Sequence, residues 1–315
     1  MSLEHNRRDF LKKIGMATAS YGFLATFPEI LTGCSSASTI EVSKKEFFQI
    51  SLAQWSLHKA LFSGQLDNLD FPLKAKNDFG VNIVEYVSVF FNKKEKDKKY
   101  LKELKKRTSD NGITNHLIMV DGEGNLGDTD AAKRKQAVEN HHKWIDTAKY
   151  LGCKTIRVNA AGQGTYTEVQ NAAIDGLGQL AEYGRKNKIN VIVENHGGYS
   201  SNGQWLAGVM KSVNNPYCGT LPDFGNFRVG PNEEYDRYRG VEELLPYAKG
   251  LSAKTYDFDN RGNETTIDYH RMLNMVRKQK WTGIVGIEYE GNRLGEEQGI
   301  RATKALLERV RKNLT

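Results

Sequence analysis

The chain has 315 residues, of which 39% are hydrophobic and 26% charged, with a formal net charge of +7. That composition describes an ordinary globular protein, and the length suits a single α/β barrel of about 250 residues with extensions. The basic residues are dispersed. Their densest run, KKEKDKKYLKELKKR from Lys93 to Arg107, interleaves acids at helical spacing, so it reads as a solvated helix face and argues against a nucleic-acid partner.

Taken in chain order, residues 1–33 read as a targeting signal. In NRRDFLKKIG, Arg7-Arg8 precede Phe10-Leu11-Lys12, a pattern resembling the twin-arginine export signal with Asn6 at its first position. The apolar stretch Met16–Phe27 is too short to span a membrane. LTGC, Leu31 to Cys34, resembles a lipobox, which makes Cys34 the expected lipidation site and the lipid the only membrane contact; a plain cleaved signal is the alternative. The expected location is periplasmic or in the outer envelope. Residues 34–46 form a polar tether, and residues 47–315 form the folded domain. Cys153 and Cys218 stand at the starts of predicted strands and read as buried free thiols.

From residue 47 on, short apolar runs alternate with amphipathic helices. Strands are expected at Phe47–Leu57, Val81–Val89, Ile113–Gly122, Cys153–Gly162, Ile189–Gly198, Cys218–Asn226, Leu251–Asp259 and Gly283–Gly291. The helices between them are expected near Phe71–Phe79, over the lysine-rich run, and at Thr129–Leu151, Thr167–Lys188, Asn202–Val213, Glu233–Lys249 and Ile267–Trp281, with a last one at Glu296–Leu314. Eight strand–helix pairs imply parallel strands with helical crossovers, an α/β fold closed as a (β/α)8 TIM barrel. A doubly wound open sheet is disfavoured because no glycine-rich phosphate fingerprint follows the first strand.

In such a barrel the site forms at the C-terminal ends of the strands, and side chains two apart on a strand share a face. The run INVIVENHGG raises the question of why an apolar strand should end on Glu194-Asn195-His196. Ile192, Glu194 and His196 share one face of strand five; Asp223 sits on strand six with Asn226 just beyond. Ser252, Lys254 and Tyr256 share a face of strand seven, and Glu288 and Glu290 one of strand eight. Strand two offers Glu85, and strand four Arg157 and Asn159. Carboxylates converging on one barrel mouth repel unless protons or a cation offset them, and carboxylates with an imidazole suit Mn²⁺, Zn²⁺ or Mg²⁺.

The segments VENHGG, LPDFGNF, LSAKTYDFD and GIEYEG, in the order of strands five to eight, resemble the xylose isomerase-like TIM barrel superfamily, in its sugar phosphate isomerase/epimerase branch. The resemblance implies a divalent-metal site of Glu194, Asp223 and Glu288. It departs at strand seven, where Ser252 stands in place of the family's histidine, and at Asn226, where many ketose 3-epimerases carry a histidine. An endonuclease of the same superfamily needs more histidines than the His58, His116, His141, His142, His196 and His270 that follow the tether. His116 reads as a core histidine, and His141 and His142 as part of a solvated helix face.

The implied chemistry is proton abstraction next to a carbonyl, through an enediolate. Glu194 and Glu288 are the expected acid–base pair, and Lys254 is expected to stabilise the oxyanion. His196, Asn226, Glu85, Asn159, Tyr256 and Glu290 are the expected substrate contacts, with a lysine ion pair as the alternative for Glu85 and a pocket-wall role for Tyr256. Export points to a small neutral, non-phosphorylated sugar or sugar derivative. An eliminating lyase acting on 3-keto-glycosides and a non-catalytic sugar-binding lipoprotein are the rival readings. Oligomers are possible.

Overall fold

The structure is a computed structural model that describes residues 46–314. The expected export signal, Cys34 and the expected tether up to Lys45 lie outside the described residues.

Eight parallel strands form the barrel: β1 (Phe48–Ala53), β2 (Ile83–Val87), β3 (Thr114–Met119), β4 (Thr155–Val158), β5 (Asn190–Glu194), β6 (Cys218–Leu221), β7 (Leu251–Thr255) and β8 (Gly283–Tyr289). Their hydrogen-bonded order is β6-β5-β4-β3-β2-β1-β8-β7. The remaining seam, β6 to β7, is closed by backbone bonds: Phe224 N–H donates to Ser252 O at 3.1 Å and Ser252 N–H to Pro222 O at 3.0 Å. The fold is thus the expected (β/α)8 barrel. Its helices start on side-chain caps such as Asp97, Asp130 and Thr165, the last in a reciprocal capping box with Glu168. Two of them stop at Gly80 and Gly152, both left-handed with φ of 64° and 87°.

Period-2 alternation sends alternate strand residues to two cores. Outward side chains such as Leu52, Ile156, Val193, Ala253 and Ile287 pack with helix residues including Trp144, Leu177, Trp205 and Leu307. Inward, a smaller cluster of Ala53, Val87, Leu117, Met119, Ile192 and Leu221 fills part of the barrel.

The structure corrects several expected boundaries. Strand one ends at Ala53 and continues as a 3-10 turn, Gln54–Leu57, and a short helix, His58–Phe62. The lysine-rich helix starts at Lys98, because the Asp97 carboxylate accepts from Lys99 and Tyr100 N–H there. The helix expected from Glu233 begins only at Arg237, where Asp236 supplies the cap. Before it, Arg228–Gly230 and Glu233–Glu234 pair as an antiparallel hairpin around a Pro-Asn turn, and after Leu244 Pro246 lies in a 3-10 turn. β3 carries one extra residue at His116, opposite the Val84–Glu85 step, a bulge. His141 is buried rather than solvated, with its Nδ1 2.7 Å from Ala137 O, and His142 stacks on Tyr183. Cys153 is buried, Cys218 is half-buried, and both are free. Among the described residues no helix is long and apolar enough to cross a membrane.

Candidate active site

Three carboxylates meet at the C-terminal mouth of the barrel. Glu194 is the last residue of β5 and points inward because it lies two positions after Ile192. Glu288 points inward from β8, and Asp223 lies two residues past β6. Their relative exposures are 1%, 3% and 0%, and one oxygen from each lies within 4.8 Å of the others.

Each carboxylate is held from several sides. Asp223 Oδ1 accepts the backbone N–H groups of Gly225 and Asn226, both at 2.8 Å. The Asn195 side chain accepts Asp223 N–H at 2.7 Å and donates to the Asp223 carbonyl at 3.0 Å, so the loop after β6 is fastened to β5. Asn226 Nδ2 donates to Glu194 Oε1 at 2.9 Å. Lys254, 1% exposed, places its ammonium 2.8 Å from Glu288, 3.0 Å from Glu290 and 3.8 Å from Asp223. Arg157 Nε lies 2.8 Å from Glu194 Oε2, but off the hydrogen-bond line, which makes the contact an ion pair and leaves that buried oxygen without a hydrogen bond.

Ser252 is the informative departure. Its Oγ lies 2.7 Å from Asp223 Oδ2 and 2.8 Å from Glu288 Oε2. A hydroxyl has one proton and serves one acceptor at a time. The other oxygen pair is left in close contact, and only a further proton or a cation relieves it. Converging oxygen donors of this kind fit a hard divalent cation, which Glu194, Asp223 and Glu288 are placed to hold. Burial pushes the Glu194 and Asp223 carboxyls up to about 7. Burial also raises Glu288, but the Lys254 ammonium and the hydrogen bonds from Lys254 and Ser252 outweigh it and hold that carboxyl below its usual range. Lys254 is disfavoured as a cation by burial, yet Asp223, Glu288 and Glu290 keep it charged well above its ordinary value.

Two cavities open beside the triad. One of about 290 Å³ has an apolar wall of Trp55, Phe62, Val89 and Met119, and a polar wall that includes Arg157, His196 and Glu288. Phe62 is 60% exposed, and its ring centroid lies 5.0 Å from that of Phe90. The other, of about 510 Å³, is bordered by His196, Asn226, Tyr256 and two arginines, Arg228 and Arg237.

The remaining expected residues fall in distinct places. His196 stands exposed at the rim and borders both cavities. Asn159 Nδ2 donates to Asp121 Oδ1 at 2.7 Å, the same oxygen that accepts Arg157 Nη1 at 2.8 Å. Glu85 lies one layer deeper, beside Gly286, where an added Cβ would come within 2.7 Å of its carboxylate. It pairs with the Ser51 hydroxyl at 2.6 Å rather than with a lysine, its Oε2 has no partner among the described residues, and burial pushes it up to about 8. Asp121, Asn195, Trp55, Phe62, Arg228 and Arg237 were not expected from the sequence. Asn195 had one usable signal, a polar residue directly beside the strand-end glutamate.

A family model described as xylose isomerase-like TIM barrel matches residues 73–310. Among solved structures, the chain resembles a xylose isomerase-like TIM barrel protein from Mycobacterium smegmatis in complex with magnesium, at 16% identity over 77% of this chain and 88% of that one, with a TM-score of 0.61. It resembles the IOLI protein with a zinc atom at 13% identity, covering 85% and 99%, with a TM-score of 0.67. It also resembles the 3-keto-D-glucoside 4-epimerase YcjR from E. coli at 13% identity, covering 84% and 100%, with a TM-score of 0.60. At these identities the likeness is one of fold. No curated protein sequence matches the chain.

Proposed function

We propose, for a chain that belongs to the xylose isomerase-like TIM barrel family, that the barrel moves a proton next to a carbonyl on a non-phosphorylated sugar or sugar derivative, as an isomerase or epimerase. The observation that carries this reading is the pair Glu194 and Glu288: two buried carboxylates on strands three places apart around the barrel, with Asp223 and Lys254 between them.

Glu194, Asp223 and Glu288 would hold the divalent cation (Mn²⁺, Zn²⁺ or Mg²⁺), which when bound polarises the sugar carbonyl and offsets the charge of the triad. The chain's own residues handle the proton. One glutamate takes it from the carbon beside the carbonyl, and the C–H electron pair becomes the double bond of an enediolate. The other glutamate gives a proton to the opposite face or to the neighbouring carbon, and the carbonyl re-forms. Lys254, fixed between three carboxylates, keeps a positive charge beside the oxygen on which charge develops. Asn226, bonded to Glu194, and Arg157, paired with it, fix the direction from which that carboxyl acts. The magnesium- and zinc-containing neighbours and the keto-glucoside epimerase support this reading.

The apolar cavity beside Glu288 favours a second reading, an eliminating lyase. The same abstraction from a 3-keto-glycoside breaks the C–O bond to the aglycone instead; the electron pair leaves on the aglycone oxygen, which takes up a proton, and an enone remains. The wall of Trp55 and Phe62 offers a seat for that leaving group. We further propose export by the twin-arginine signal and anchoring through a lipid on Cys34, which fits a substrate without phosphate. Cys34→Ser should release the protein from the membrane fraction.

Elemental mass spectrometry of the purified chain beside the Glu194→Gln, Asp223→Asn double variant tests the metal: about one ion per chain, lost in the variant, is expected. A chain that takes up no metal even on reconstitution would move the non-catalytic sugar-binding reading to the front.

A further inference from the structure

The larger cavity holds charge that the proton transfer does not use. Arg228 enters it from the hairpin and Arg237 from the start of the helix Arg237–Leu244, on either side of Asn226 and Tyr256. Among the described residues Arg237 Nη1 is buried without a hydrogen-bond partner. Among the described residues no carboxylate comes within 4.0 Å of either guanidinium, although the hairpin register sets Arg228 opposite Glu234, the one acid on the cavity wall. A buried guanidinium nitrogen with no acceptor is rare in a folded chain. The frame around it is rigid: the Phe227 ring occupies the space a side chain at Gly240 would need, and Tyr235 N–H donates to Phe227 O at 2.8 Å, so hairpin and helix are pinned together.

We propose that this cavity is a carboxylate subsite and that the substrate is a sugar acid, with its reacting carbon at Glu194 and Glu288 and its carboxylate on Arg237 and Arg228. The proposal rests on the sugar reading of the triad and names the substrate class within it. Asn226 joins the two regions, since it borders the cavity while donating to Glu194 at 2.9 Å. Two arginines against Glu234 leave one net positive guanidinium charge on the cavity wall, which matches a monoanion. A phosphate cradle usually adds free backbone N–H groups. Here those of Gly197, Gly225 and Asn226 already donate to Ser201 Oγ and Asp223 Oδ1. The planar guanidinium fork matches a carboxylate in two parallel hydrogen bonds.

Calorimetric titration of the full chain with methyl glucoside, methyl glucuronoside and glucose 6-phosphate tests this. The wild type should bind the glucuronoside about ten-fold or more tighter than the glucoside, an advantage that shrinks with added salt. Arg237→Gln should reduce that advantage to about two-fold or less and leave glucoside affinity unchanged; Arg237→Lys should restore part of it. Arg228→Gln carries the same comparison if Arg237→Gln does not fold. Equal affinity for glucoside and glucuronoside, or an advantage that survives both substitutions, overturns the subsite while leaving the sugar reading intact. A tighter, arginine-dependent grip on glucose 6-phosphate overturns the assignment to a carboxylate. Failure to bind any of the three sugars sinks the sugar reading and the subsite with it.

Discussion

The inner wall of this barrel has two arcs built on the same strand periodicity and filled with opposite chemistry. One is apolar: Ala53, Val87, Leu117 and Met119 from β1 to β3, joined by Ile192 and Leu221. The other, from β4 to β8, buries Arg157, Glu194, Asp223, Ser252, Lys254 and Glu288. Burial of apolar side chains is the main favourable term in folding. Burial of ions costs several kcal/mol each before pairing returns any of it. The charged arc is therefore a poor way to hold a barrel together and a good way to prepare one for chemistry, and its perturbed carboxyls are where the proposed function rests. Glu85 is the exception, an acid one layer below the mouth with a single hydroxyl partner.

Substitutions that exchange the properties of the two arcs sharpen this contrast. The largest effect is expected for Glu288→Gln, which keeps the shape of the charged arc: turnover should fall by about a thousand-fold or more while sugar binding persists. Unchanged turnover would remove Glu288 from the chemistry. Lys254→Met next strips the cation from the middle of the carboxylates and should cost about 3–5 kcal/mol in urea unfolding, part of it recovered by adding Glu288→Gln.

Leu117→Ala, in the apolar arc, should cost about 2–5 kcal/mol, yet leave turnover per folded molecule as it was. A comparable loss of turnover there would mean that the arcs are not separable. Glu85→Gln tests the exception by pH. The folded carboxyl sits at about 8 against a usual 4.5. Below 4.5 both folded and unfolded chains hold the proton. As pH rises from there, the unfolded chain loses it first, so the wild type loses stability until about pH 8. The variant should gain on the order of 5 kcal/mol over wild type above pH 8 and nothing below 4.5. The smallest effect belongs to Phe62→Ala. At 60% exposure its removal should change stability by about 0.5 kcal/mol or less. Weaker binding of an aryl glycoside than of a methyl glycoside in that variant would favour the lyase reading, and no difference would count against it.

Much of the charged arc was legible in advance because its signals are local. Alternation along a strand puts Glu194 on the face of Ile192, and Lys254 on that of Ser252. The barrel rule then carries these residues, with Asp223 and Glu288, to one mouth, and left-handed glycines such as Gly80 and Gly152 mark where helices stop. The hairpin at Arg228 was not legible: Arg228–Gly230 fell in no expected element and Glu233-Glu234 in the expected helix, since a two-stranded turn this short has no periodicity to set against helical spacing. The sequence by itself thus determined the order of strands and helices and the inward set of acids, because both follow from spacings of a few residues. Only the tertiary structure decided that Ser252 bridges Asp223 and Glu288, that Asn195 fastens the next loop, that Asp121 reaches Arg157, and that two arginines share a cavity. Those partners are brought together by barrel closure and by loops with no repeat of their own, and no local spacing encodes a contact made across the mouth of a closed sheet.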